Sequence, residues 1–437
     1  MKKLLPILVS LSLGTMCAQA WADTLSEIYN EAKQNDPQLL KAEAQKEAAF
    51  EAINSTRSNL LPQINLSAGY NVTRFDNYTL GDSNRATAGA TLQQVLYSRA
   101  SWVNLETAEK SARQVDAEYA ATQQDLILRV AQAYFEVLRA KDNLAFVRAE
   151  KAAVGRQLEQ TKQRFDVGLS AITDVHDAQA QYDSVLASEV LAQNNVTNSY
   201  EAIREITGIG HKDLSELDTK RFSTSKPDQN MDEMVKEAQD KNLSLLSARI
   251  GQDIARDKIR LASSGHLPTL ALDAGYNFYD EHNDDNSLYR YYDPDHSVNV
   301  GVTLSVPLYQ GGKVVSQTKQ AEYAFTEASQ TLEATYRSVV KNVRAYTNNI
   351  NASIGAINAY QQSVVSARSA LDATEAGFEV GTRTIVDVLD STRRLYDANK
   401  SLSDARYDYI LAVLNLKSAV GTLSEQDILD INSGLTK

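Results

Sequence analysis

The sequence predicts an α+β membrane protein, and three observations lead to that fold class. Four segments alternate apolar with polar residues, two long segments repeat apolar residues in heptads, and the N-terminus resembles an export signal. The chain has 437 residues and a formal net charge of −12, an acidic balance that argues against nucleic acid as a partner.

Residues 1–22 have the organisation of a removable secretory signal. Lysines at 2–3 precede an apolar run at 4–13, and a small-x-small cleavage pattern ends at Ala22. The apolar run is far shorter than the roughly 20 residues that span a bilayer. Removal of the signal leaves a chain without cysteine, which excludes disulfides and thiol chemistry.

The two halves of the chain resemble each other. Residues 61–70 read LPQINLSAGY and 267–276 read LPTLALDAGY, while FDVGLSAITDV at 165–175 corresponds to FEVGTRTIVDV at 378–388. Such repetition predicts two structural repeats. We expect a first repeat over 23–210, a linker over 211–230, a second repeat over 231–421 and a C-terminal tail over 422–437.

Four strands are predicted, at 62–74, 85–97, 267–279 and 297–309. In the last of them, apolar residues such as Val298 and Val300 alternate with polar or small residues such as Asn299 and Gly301. One apolar and one polar face suit a membrane barrel with lipid outside and water inside. A soluble β-sandwich would show the same alternation, but the export signal and the lack of further strands argue against it.

Four strands cannot close a membrane barrel, because hydrocarbon does not tolerate an open sheet edge. Eight strands are about the usual minimum. Two chains would therefore suffice, whereas three would give a twelve-stranded barrel. Strand counting leaves both possibilities open.

Long helices are predicted downstream of each strand pair. Apolar residues recur every three and four positions over 126–165 and again over 336–378, a pattern typical of coiled coils. A single helix over 98–165 would be about 100 Å long, so it must extend beyond the bilayer into the periplasm. Shorter return helices are predicted at 171–207 and 384–420. The segments 25–58 and 231–264 should stack end to end with them, giving four antiparallel columns.

Several segments resemble the outer-membrane efflux proteins, also called the outer membrane factor family. The resemblance covers essentially the whole mature chain and is carried by these segments: GTRTIVDVLD at 381–390, VGLSAITDV at 167–175, NINAS at 349–353 and LYQGG at 308–312.

The resemblance implies a homotrimer whose twelve-stranded outer-membrane β-barrel, four strands per chain, continues into a long periplasmic α-helical barrel. It implies a channel that serves tripartite efflux pumps and type I secretion systems and carries drugs, bile salts and secreted proteins. The expected partners are outer-membrane lipid, a periplasmic membrane-fusion adaptor and an inner-membrane transporter of the RND, ABC or MFS class. It implies no enzyme, cofactor or metal.

The resemblance places a pore constriction at Asp387 and Asp390. These residues are three apart and share a helix face, and six carboxylates from three chains would favour cations. Crowding is expected to raise their pKa values.

The resemblance also implies a gate that opens when helices at the periplasmic end untwist. The side chains expected to hold it closed are Asp174, Arg383, Thr173, Gln157, Glu375 and Phe378. A member of the family has a tyrosine at the position of Phe378. Loss of its hydrogen bond to Asp174 should weaken the closed state by about 1 kcal/mol.

Two exposed turns are expected to receive the adaptor. They comprise Val167, Gly168, Leu169, Val380, Gly381 and Thr382. A purely structural coiled-coil protein is the main alternative, but it leaves the four alternating strands unexplained. An enzyme is disfavoured, since the five histidines are scattered and no phosphate loop or nucleophile elbow is present.

Overall fold

Long helices and one four-stranded sheet make up the structure, a computed structural model that describes residues 22–74, 83–283 and 296–436. The elements in chain order are α1 (Leu25–Asn35), α2 (Pro37–Ser58), β1 (Gln63–Thr73), β2 (Ser83–Tyr97), α3 (Arg99–Asp166), α4 (Ile172–Thr207), α5 (Met231–Lys241), α6 (Leu243–Ser263), β3 (Thr269–Asn283), β4 (His296–Ser305), α7 (Lys313–Glu379), α8 (Ile385–Val420) and α9 (Glu425–Asn432). Nearly all of the predicted signal peptide lies outside the described residues.

The two halves repeat the same series of elements. The matched helices α1 and α5 have 11 residues each, and α2 and α6 have 22 and 21. The long helices α3 and α7 have 68 and 67 residues, and the return helices α4 and α8 have 36 each. The internal repeat predicted from sequence is therefore present helix by helix.

The sheet is antiparallel with the strand order β1-β2-β3-β4. β2 pairs with β3 along most of its length, although α3 to α6 separate them in sequence. The register sets Leu66 opposite Ala90, Ala90 opposite Tyr276 and Tyr276 opposite Val298. The apolar residues predicted for each strand therefore share one face of the sheet, and β1 and β4 form its two open edges.

Within the described residues, no helix combines the length and apolar character that crossing a membrane requires. α3 would be about 100 Å long at the usual rise per residue. Its N-terminus is capped by Ser98, whose Oγ accepts a hydrogen bond from the Ser101 N–H at 3.2 Å.

The predicted helical segments 25–58 and 231–264 are each two helices, not one. The side chain of Asp36 accepts a hydrogen bond from the Leu39 N–H at 2.9 Å, and Pro37 occupies the first position of α2. Asn242 caps α6 in the same way, accepting from the Leu245 N–H at 3.0 Å. New caps start new helices, because the side-chain oxygen satisfies an N–H that has no partner inside the helix.

The amide of Asn242 also donates a hydrogen bond to the carbonyl oxygen of Ala419 at 2.9 Å. α6 therefore begins where α8 ends, which is the end-to-end stacking predicted from helix lengths. α2 and α6 pack on α3 in the half near the sheet, and α4 and α8 pack on it in the other half.

The main hydrophobic core lies around the middle of the long helices. Tyr134 and Phe135 at the centre of α3 are fully buried there, and the Tyr134 hydroxyl donates to the Ser215 carbonyl at 2.7 Å. α1, α5, α9 and residues 211–230 pack around this point. The segment predicted as a linker and the C-terminal tail are thus part of a collar around the helices.

Candidate functional site

The turns α3–α4 and α7–α8 lie at the same end of the chain, which we call the tip (residues 154–185 and 371–394). The helices there are arranged in the order α4, α3, α8, α7, because α3 packs on both α4 and α8, and α8 packs on both α3 and α7. A small separate core joins all four helices. Its buried members are Val154, Leu158, Ala178, Val185, Phe378, Ile385, Val388 and Leu389.

Both tip turns are built on a glycine with positive φ. Gly168 has φ +77° and Gly381 has φ +79°, a conformation that side chains with a Cβ disfavour. In the first turn the Leu169 N–H donates to the Arg164 carbonyl at 2.7 Å, and in the second the Thr382 N–H donates to the Gly377 carbonyl at 2.8 Å. Both are the six-residue bond of a Schellman motif, which ends a helix in a tight turn.

The tip turns expose apolar side chains. Val167 and Leu169 are each 69% exposed, and Val380 is 75% exposed. They are among the residues expected to contact the adaptor, a role that stays a prediction. Exposed apolar clusters of this kind often mark sites where proteins interact.

Asp387 caps the start of α8 together with Thr384. The Thr384 N–H and hydroxyl both donate to Asp387 Oδ2 at 2.9 Å, and the Asp387 N–H donates to Thr384 Oγ1 at 3.3 Å. These hydrogen bonds hold the pKa of Asp387 below its ordinary value, and the charge of Arg383 contributes in the same direction. In the single chain this shift is opposite to the one expected from crowded carboxylates.

Asp390 is paired with two arginines of its own helix. Arg393 contacts Oδ1 at 2.8 Å and Arg394 contacts Oδ2 at 2.6 Å. Their spacing of three and four residues is readable from the sequence, but the prediction considered only the carboxylates. The local field at Asp390 is therefore less negative than at Asp387.

The structure does not bring Asp174 and Arg383 together within the described chain. Asp174 accepts hydrogen bonds from the Ser170 hydroxyl at 2.7 Å and the Ala171 N–H at 3.1 Å, so it caps α4. Arg383 folds back so closely over Gly377 that a Cβ added at position 377 would lie 2.7 Å from the Arg383 Cγ. Thr173 is exposed. These residues are therefore not an ion-pair link within one chain.

Gln157 and Glu375 are likewise not bonded to each other. The Gln157 amide donates to the Thr392 hydroxyl at 2.9 Å, and both side chains are buried. Glu375 is exposed on α7. The link from Gln157 thus runs from α3 to α8, and Thr392 is a contact residue that the sequence did not reveal, because the register between distant helices is not encoded locally.

Phe378 is buried in the tip core with only 9% of its surface exposed. The guanidinium carbon of Arg164 lies 4.7 Å from the centre of its ring. Replacing a tyrosine by phenylalanine was expected only to remove a hydrogen bond. In this chain the ring instead makes a cation–π contact between the ends of α3 and α7, and Arg164 is a second tip residue that the sequence analysis missed.

The "Outer membrane efflux protein" family model matches residues 28–209 and 234–422, which correspond to the two repeats. The chain belongs to this family of outer-membrane channels, and its location is the outer membrane.

Among its relatives, "Outer membrane protein TolC" of Vibrio cholerae serotype O1 is 66% identical and covers 100% of this chain and 99% of its own length. "Proteases secretion protein PrtF" of Dickeya chrysanthemi is 28% identical and covers 98% of this chain and 94% of its own length. The crystal structure of CusC has a TM-score of 0.80 at 17% identity, covering 91% of this chain and 92% of that one, and so shares the fold.

The capping box at the start of α8 gives a testable prediction. Thr384→Ala removes the hydroxyl that both accepts from the Asp387 N–H and donates to its carboxylate. Loss of a cap costs about 1 kcal/mol. Amide hydrogen exchange in the first turn of α8 should accelerate about fivefold at pH 7, as that free energy implies.

Thr331→Ala is the matched control, since Thr331 is an exposed threonine on α7 that lies away from the tip. It should leave exchange in both tip helices unchanged. Equal acceleration by the two variants would show that the Thr384 cap does not stabilise this helix start.

Proposed function

We propose that three copies of this chain form one continuous channel across the outer membrane and periplasm. The observation that carries the proposal is the sheet with two open edges and one apolar face. β1 and β4 are exposed along their whole length, and Leu66 and Val300 on the apolar face are 86% and 73% exposed. In a bilayer these edges need partners, and β4 of one copy can pair with β1 of the next.

The number three is supported by family membership rather than by strand counting. Three copies give a twelve-stranded barrel and twelve helical columns. Because the column order is α4, α3, α8, α7, the outer columns of each copy are α4 and α7. In a closed ring α4 of one copy faces α7 of the next, and the helices enclose a tube that continues the barrel.

The channel acts as the outer-membrane component of tripartite efflux pumps and type I secretion systems. Drugs, bile salts and secreted proteins would pass through it from inner-membrane transporters of the RND, ABC or MFS class. A periplasmic adaptor would dock at the exposed tip residues Val167, Leu169 and Val380. The relative PrtF, named as a protein for protease secretion, supports the secretion role.

We further propose that the tip is the gate. Three copies bring three Asp387 and three Asp390 side chains around the axis. Asp387 carries more of the negative field, because Asp390 is paired with Arg393 and Arg394. Arg383 and Asp174 lie on opposite flanks of one chain, so we place their ion pair between adjacent copies, with Thr173 beside it. Opening then requires the α7–α8 pair to move outward.

Conductance in planar bilayers tests the channel directly. The purified wild-type protein should conduct ions, and a trivalent cation such as hexamminecobalt added on the tip side should block it. Asp387→Asn with Asp390→Asn should raise the blocking concentration at least tenfold, equivalent to about 1.4 kcal/mol of binding. Asp387→Asn alone should give most of that change. Unaltered block in the double variant would contradict a carboxylate constriction, and absence of conductance would contradict the channel.

The ion pair between copies gives a separate prediction. Arg383→Ser removes the cationic partner of Asp174, so single-channel conductance should rise severalfold as the gate opens more readily. Arg249→Ser is the control, since this exposed arginine lies on α6, which packs in the half near the sheet. Wild-type conductance in the Arg383 variant would rule out this pair as a closing contact.

A further inference from the structure

The ends of α3 and α7 are joined by one contact between a cation and a ring. The Arg164 guanidinium covers a face of Phe378 at 4.7 Å. Arg164 lies in the last turn of α3, in the first repeat, and Phe378 lies in the last turn of α7, in the second. The contact therefore bridges the two coiled coils of the chain and not the two helices of one hairpin.

Burial makes this contact stronger than an ordinary surface pair. Phe378 belongs to the small core in which α3, α4, α7 and α8 meet. The Nε atom of Arg164 is buried and has no hydrogen-bond partner. With water removed from Nε, the ring faces a partly desolvated cation, and cation–π contacts strengthen when they are desolvated.

The contact between Arg164 and Phe378 has no counterpart at the symmetry-related positions of the tip. Residue 377 is the counterpart of Arg164 and is a glycine, so the last turn of α7 carries no cation at the equivalent position. Phe165 is the counterpart of Phe378 and is 39% exposed, against 9% for Phe378. The two repeats therefore differ at the tip in the residues that form the contact between them, Arg164 and Phe378.

We propose that Arg164 is a positioning residue of the gate, which clamps Phe378 and thereby holds the second coiled coil against the first in the closed state. This inference rests on the proposed channel function. Outward movement of α7 and α8 would withdraw Phe378 from the tip core and separate its ring from the cation. The clamp needs no hydroxyl on the ring, so phenylalanine at 378 does not leave the closed state without a contact at this position.

The clamp predicts matched effects of removing either partner. Arg164→Met keeps a long apolar stem without charge, and Phe378→Leu keeps apolar bulk without the ring. Each should raise the open-to-closed ratio in bilayer recordings about 2- to 30-fold, the range that corresponds to a cation–π contact. The double variant should show no more opening than the stronger single variant, because both changes remove the same contact.

Three controls separate a clamp from general loosening of the tip. Phe378→Tyr keeps the ring and should open no more than wild type, and Arg164→Lys keeps a cation and should fall between wild type and Arg164→Met. Phe165→Leu, at the equivalent position of the other turn, should have no effect. Thermal unfolding of the helices should be unchanged in all variants, because their main core lies at the collar.

The outcomes distinguish this inference from the channel itself. Wild-type conductance with unaltered gating in Arg164→Met and Phe378→Leu would overturn the clamp and leave the channel intact. Additive effects in the double variant would also overturn it, since the residues would then act independently. A wild-type protein that does not conduct would instead overturn the proposed function.

Discussion

The structure depends on one constraint, the need to pair every backbone N–H and C=O group that lies in hydrocarbon. A sheet of four strands meets this need internally for β2 and β3 but leaves one side of β1 and one side of β4 open. Each unpaired group in the bilayer would cost several kcal/mol. In the proposed channel, closure of the sheet by further copies would satisfy these groups and would also fix how the attached helices are arranged.

The helices extend that arrangement away from the membrane. Short connections join the sheet to α3 and α7. The hydrogen bond from Asn242 to Ala419 joins α6 end to end with α8, and both of these shorter helices pack along α7. Among the described residues, the larger of the two buried cores lies at mid-length, in the collar around Tyr134. The tip has only a small core of its own. A stable middle and a lightly packed end are what a gate at the tip requires, because the end can move without unfolding the rest.

Much of the fold could be predicted from local patterns. Alternation located four strands, and the register places their apolar residues on one face. Heptads located the long helices, and Gly168 and Gly381 marked the turns. The breaks at Asp36 and Asn242 were missed, although a capping residue followed by Pro37 is a readable signal for the first of them. The family resemblance, and not periodicity, supplied the candidate gate residues.

Contacts between distant helices were the part that sequence could not supply. Gln157 bonds Thr392 and not Glu375, and Arg164 covers Phe378, because each pairing depends on the register of helices separated by more than 200 positions in the chain. Asp174 and Arg383 fail to meet within one chain, and local pattern cannot distinguish a contact inside a copy from one between copies.

The most direct test of the central proposal is disulfide crosslinking between sheet edges, because the only cysteine of the sequence, Cys17, lies in the predicted signal. A set of double-cysteine variants would be oxidised in isolated outer membranes. Each variant carries one cysteine on β1 between 64 and 70 and one on β4 between 298 and 304. We expect at least one of these residue pairs to give a ladder of crosslinked species that ends at three chains. Exclusively monomeric protein at every register, or a ladder that ends at two chains or extends beyond three, would contradict it.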